Sequence, residues 1–167
     1  MGTSQSLIEL VAAAQATAKT SEDRISEVLH LRDGSDAQVE DLRAATVALE
    51  LAAVDIFSVF EARMQHHFRR GPFSRKLRAL LLEKGQTDLA NRVHQYYLAI
   101  NVLKHGKGAS YRELLKAPSS FIVVKSATDT SVDQADAPTG LIDVGVPGFF
   151  QGLATTILEA HHFLESK

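Results

Sequence analysis

The stretch Ala44–Phe60 constrains the fold more than any other part of the chain. It is apolar on nearly every side, interrupted by Glu50, Asp55 and Ser58. Leu42, Leu49 and Ile56 recur at seven-residue steps, as do Ala53 and Phe60, which is the seam of a bundle helix. A helix apolar nearly all round must be enclosed by other elements. The pattern therefore predicts a central helix from about Asp36 to Phe68, with Ser35 and Gln38 as a capping box at its start and Gly71-Pro72 ending it.

Other helices flank it. Leu7, Leu10, Val11, Ala14, Ile25, Val28 and Leu29 place a first helix over about Ser4–His30, with a break expected near Thr20-Ser21. Leu77, Leu80 and Leu81 mark a shorter helix over about Phe73–Glu83, closed by Lys84-Gly85-Gln86-Thr87. A further helix carries Leu89, Val93, Tyr97, Ile100 and Leu103 on one face and stops at His105-Gly106. Ser110 with Glu113 reads as a capping box for a short helical turn to about Leu115. Two β-type runs follow, at about 121–125 and 140–144, separated by the Ser-, Thr- and Asp-rich stretch 126–140. They predict a small hairpin with a mobile tip. Pro147 then opens a last helix striped by Phe150, Leu153, Ile157 and Leu164. The expected fold is mainly α: one domain over 1–167, a four- to five-helix up-and-down bundle with a β-hairpin before the C-terminal helix.

At 167 residues the chain is long enough to bury a core without staples. It has no cysteine, which excludes a disulfide framework, a thiolate nucleophile and any Cys-ligated metal. No run is apolar enough for a membrane span and no secretory signal is legible, so the expectation is a cytoplasmic protein without membrane contact.

The formal net charge of −2 hides a split. From Arg63 to Lys116 there are twelve Lys and Arg against three acids, and Arg63–Arg78 alone holds six basic residues, two histidines and no acid. Such a field suits a phosphate backbone, an acidic protein surface, or simply a solvated face balanced by acidic helices elsewhere. Aromatic interleaving is sparse, so stacking of single-stranded bases has weak support.

Neither a Gly-x-Ser-x-Gly elbow nor a P-loop is present, and Gly106–Ser110 reads as a helix stop followed by a helix start. Glu159 and His162 make one Glu-x-x-His pair, but the second pair that a di-iron bundle requires is missing. His66 and His67, being adjacent, should point different ways around a helix. No metal site and no cofactor are assigned; a site drawn from His66, His67, His161 and His162 with a glutamate is the alternative, a metal-dependent bundle enzyme.

On a helix His94, Tyr97, Asn101 and His105 fall along one stripe, because three and four are helical steps. His105 stands at the helix C-terminus, where the dipole favours a cation. A solvent-facing strip ended by a capping histidine would look the same. The run Asn101-Val102-Leu103-Lys104-His105 resembles the polar-x-x-x-His part of the HEPN superfamily motif, which begins with an arginine one position earlier. That superfamily comprises helical bundles that include ribonuclease toxins, defence proteins and non-catalytic nucleotide-binding members. Here the arginine position is Ile100. The resemblance implies a homodimer with His105 and Asn101 in the catalytic positions beside a shared cleft. His94 and Tyr97 would line that cleft, and Arg69, Arg70, Arg75, Arg78, Arg92, Lys104 and Lys107 would hold anions. Because isoleucine can neither contact phosphate nor stabilise developing charge, the resemblance implies a non-catalytic module binding RNA, a nucleotide or an acidic protein. Two rivals stand beside it: an active metal-independent ribonuclease with a displaced cation, and a homodimeric interaction protein without small-molecule chemistry.

Overall fold

The computed structural model describes residues 5–31, 34–117, 122–124 and 141–166. Six α-helices follow one another in these segments: α1 (Leu7–Leu31), α2 (Asp36–Met64), α3 (Phe73–Glu83), α4 (Thr87–His105), α5 (Ala109–Lys116) and α6 (Phe149–Ser166). A 3₁₀ turn, Gln65–His67, continues α2. None of the described helices is long and apolar enough to cross a membrane.

α1 and α2 form a long antiparallel hairpin tied at both ends. Gln38 Nε2 donates to the Val28 carbonyl at 2.6 Å, and Arg63 reaches the Gln5 carbonyl at 2.7 Å. α1 starts on a capping box: the Glu9 N–H bonds Ser6 Oγ at 3.1 Å, and Glu9 Oε2 accepts from the Ser6 N–H at 3.4 Å. The helix is unbroken at Thr20-Ser21. Thr20 Oγ1 donates back to the Ala16 carbonyl and Ser21 is buried, so neither hydroxyl starts a new helix. Ser35 caps α2 through the Gln38 N–H at 3.1 Å, but the Gln38 side chain returns to the Gly34 N–H at 2.7 Å.

α2 is buried along one side and not all round. Ala44, Ala48, Leu51 and Asp55 form an exposed stripe, so the enclosed central helix expected from the sequence does not form. α4 is the helix packed against α2, α3, α5 and α6. On its buried side α2 carries Leu49, Ala53, Phe57 and Phe60, all at most 1% exposed. The helix ends at Met64, short of the expected Phe68, because Phe68 turns into extended backbone (φ −128°, ψ 125°) and stacks edge-on against Phe73 at 5.7 Å. That contact continues a chain of rings through Phe60 (5.3 Å) to Phe57 (5.9 Å), and burial of this kind outweighs one more helical turn.

α3 and α4 form a second hairpin. Its turn is a Schellman motif: the Gln86 N–H bonds Leu81 O, the Gly85 N–H bonds Leu82 O, and Gly85 takes φ +77°. α5 folds back antiparallel on α4, and α6 closes the bundle. Ser110 and Glu113 do not cap α5: the helix begins at Ala109 after Gly108, and both side chains bond to α4 instead.

Among the described residues there is no strand. The two β-type runs meet in a single antiparallel bridge, Val124 with Ile142, supported by the Asp143 N–H on Val123 O at 2.9 Å. Ile122, Leu141, Ile142 and Val144 are buried in the core, so their apolar character serves packing rather than a ladder. The expected tip at 126–140 lies outside the described residues. α6 starts at Phe149, after Gly148 at φ +90°, two residues later than expected.

Candidate functional site

The polar stripe of α4 divides between two neighbours. Asn101 and His94 face α5, where Asn101 Nδ2 donates to Ser110 Oγ at 3.2 Å and His94 Nε2 lies 2.6 Å from Glu113 Oε2. Tyr97 and Lys104 face the other way. They line a surface groove of about 460 Å³ whose remaining wall comes from α2 and the start of α3: Ser58, Glu61, Gln65, Phe73 and Ser74. The His94 ring stacks on Tyr97 at 6.4 Å and connects the two faces.

Glu61 is the charged centre of this groove. Burial pushes its carboxyl above the ordinary 4.5, against the pull of nearby Lys104 and of the Ser74 hydroxyl, which donates to it at 3.4 Å. Lys104 is exposed, so a cation and a half-buried carboxyl share one recess.

Beside the groove the chain turns the corner from Phe68 to Lys76. Arg69, Arg70, Arg75 and Lys76 are all exposed there. Gly71 takes φ +93°, and a β-carbon at that position would press on the aliphatic stem of Lys76. The corner therefore needs glycine for its backbone angle, while the exposed Lys76 stem is free to swing aside.

The remaining candidates lie apart from this corner. Arg92 is spent in a network with Asp88 (2.9 Å), Thr156 (3.2 Å) and Glu159, on the wall of a different cavity between α4 and α6. Burial opposes its charge, yet the two carboxylates prevail and raise its pKa further. Arg78 is half-buried, and its Nε has no partner among the described residues. Lys107 is half-buried in the α4–α5 turn, and His105 is exposed at the end of α4. Ile100, at the motif's arginine position, is 1% exposed and belongs to the core.

Reading the sequence missed Ser58, Glu61, Gln65 and Ser74 as groove residues. Only Ser58 and Glu61 gave a signal, as polar residues on the largely apolar α2. His66 and His67 do not diverge as a helix would require. In the 3₁₀ turn their rings lie 4.2 Å apart, and Glu165 of α6 joins them. No protein-family model matches the chain, and no curated protein or solved structure does so either.

Proposed function

We propose that this chain is a non-catalytic, HEPN-like binding module. It would hold a phosphate-bearing ligand, RNA or a nucleotide, on the basic corner Phe68–Lys76 and the adjoining groove. The observation that carries the reading is the corner itself: Arg69, Arg70, Arg75 and Lys76 are exposed within eight residues that contain no acid. Lys104 and Tyr97 extend it into the groove. Cations placed this way neutralise phosphates and release counterions.

Three features support the absence of cleavage chemistry. The motif arginine is replaced by a core isoleucine, Asn101 is engaged by Ser110, and Arg92 is neutralised by two carboxylates. His105 is left without a cation supplied by its own motif.

The test is fluorescence polarisation with a short labelled RNA at about 50 and 200 mM salt, a range over which phosphate contacts weaken steeply. The same RNA is then run on a gel. Salt-sensitive binding with intact RNA is the expected result. Cut RNA that depends on His105 would replace this reading with the ribonuclease, and no binding at the lower salt would remove it.

A second reading, a homodimeric interaction protein, draws on the turn end of the α1–α2 hairpin. Leu29, Leu31 and Val39 stand 47%, 73% and 62% exposed near that end, and exposed large apolar side chains are what an association surface buries. Sedimentation of the wild type against Leu31→Glu distinguishes a dimer formed at this end from a monomer.

A further inference from the structure

We infer that His66, His67 and Glu165 form a binding site for a zinc-class divalent ion, joining the end of α2 to the end of α6. One donor atom from each of the three residues lies within 4.8 Å of the other two. The inference is independent of the basic corner, since none of the three residues belongs to it.

The ligand chemistry is set by hydrogen bonding already present. His66 Nδ1 lies 2.9 Å from the Arg63 carbonyl. A carbonyl can only accept, so Nδ1 carries the proton and Nε2 keeps its lone pair. This is the arrangement that orients metal-bound histidines, with a backbone carbonyl fixing the tautomer from behind. His67 Nε2 stands 3.4 Å from Glu165 Oε1. That is long for a charge-assisted hydrogen bond, which closes to about 2.7–2.9 Å. It matches the edge of a tetrahedron built on metal–ligand bonds of 2.0–2.1 Å, about 3.3 Å. His67 is partly shielded, with a side chain 13% exposed, while Glu165 is 48% exposed and open to an arriving ion.

Two imidazoles and one carboxylate suit zinc and its borderline neighbours rather than magnesium, which prefers an all-oxygen shell. Three protein ligands leave a fourth tetrahedral position for water.

The test is isothermal titration of the tag-free full chain with zinc chloride, and separately with magnesium chloride, followed by thermal melts. One zinc per chain is expected, with no magnesium uptake. Saturating zinc should raise Tm by at least about 5 °C, because the ion binds only the folded arrangement. His66→Ala, His67→Ala and Glu165→Gln should each weaken zinc binding at least about tenfold. His162→Ala should not, because that side chain lines the cavity between α4 and α6. All three ligands are at the surface or half-buried; if one variant fails to fold, the other two still decide. No zinc uptake at submillimolar concentration overturns the inference. So does uptake that survives the loss of both histidines, or uptake lost equally in the His162 variant.

Discussion

The hydroxyl of Tyr96 donates to the Phe149 carbonyl at 2.9 Å, and the same hydroxyl fills the space above Gly152. One side chain thus adds a second donor to a carbonyl in the first turn of α6 and sets how closely α6 approaches α4. Tyr96 is 1% exposed and its ring packs on Phe149 at 5.6 Å, so it cannot swing aside. A β-carbon on Gly152 would collide with it. Gly152→Ala is expected to cost about 1–3 kcal/mol through overpacking, despite alanine's higher helix propensity. Tyr96→Phe, which removes this hydrogen bond but leaves the carbonyl its partner within α6, should cost about 0.5–1.5 kcal/mol. Thermal melts of the two variants check both.

The same burial pushes the Tyr96 phenol up to about 12 from its ordinary 10.0. The folded state then holds a proton that the unfolded state releases above pH 10. Stability contributed here is full below the unfolded value and falls as pH rises through the folded one. Ultraviolet titration should show a phenol ionising near pH 12 that is missing from Tyr96→Phe. Melts between pH 9 and 11 should show a decline that is smaller in Tyr96→Phe.

Glu61 carries a pH effect in the acid range. Its folded pKa lies above 4.5 because burial disfavours the carboxylate, so the folded state binds more protons than the unfolded state just above that value. The cost of ionising Glu61 therefore sets in as pH rises through its folded value and is absent below the unfolded one. Glu61→Gln keeps an acceptor for Ser74 and removes the charge. It should raise Tm at pH 7 by about 1–3 °C, with the advantage gone at pH 4. A variant less stable than wild type at pH 7 would mean that the attraction to Lys104 outweighs desolvation.

Much of the bundle was legible because helical spacing and stop signals act locally. α2 followed from its seven-residue repeat, though its apolar surface overstated its enclosure, since Leu51 stays 56% exposed. α3 and α4 followed from Leu77, Leu81, Val93 and Ile100 with Gly85 and Gly106 as stops. What failed was decided by long-range contact. Phe68 left the helix to meet Phe73, and Ser110 and Glu113 turned from capping α5 to bonding Asn101 and His94. The β-type runs mark buried residues, and burial alone does not distinguish a ladder from packed loops. At the candidate site the density of charge was visible, but its distribution was not. Nothing local in the sequence tells that Arg92 is neutralised by Glu159, which lies 67 residues away. Nor does anything local show that Glu165 reaches the adjacent histidines.

Ile100 tests the motif resemblance directly. If the missing arginine were only a lost catalytic group, Ile100→Arg would restore it at little structural cost. The position is 1% exposed within the core. A guanidinium there would be buried without a partner, at a cost of several kcal/mol. The expected outcome is a destabilised or insoluble protein with no ribonuclease activity. A stable, active Ile100→Arg variant would show that α4 can rotate this face into a cleft.

The basic corner makes the last prediction. If Arg69, Arg70 and Arg75 each neutralise one phosphate of single-stranded RNA, the slope of log K against log salt should become shallower by about 0.7 for each arginine removed. Arg69→Gln, Arg70→Gln and Arg75→Gln combined should therefore flatten it by about 2. Arg92→Gln should leave the slope unchanged and lower Tm instead, because its charge is already matched by Asp88 and Glu159. The contrast separates cations that face a ligand from a cation that ties α4 to α6. Equal flattening by the two sets would place the RNA across the α4–α6 cavity, and the corner would then be a solvated surface.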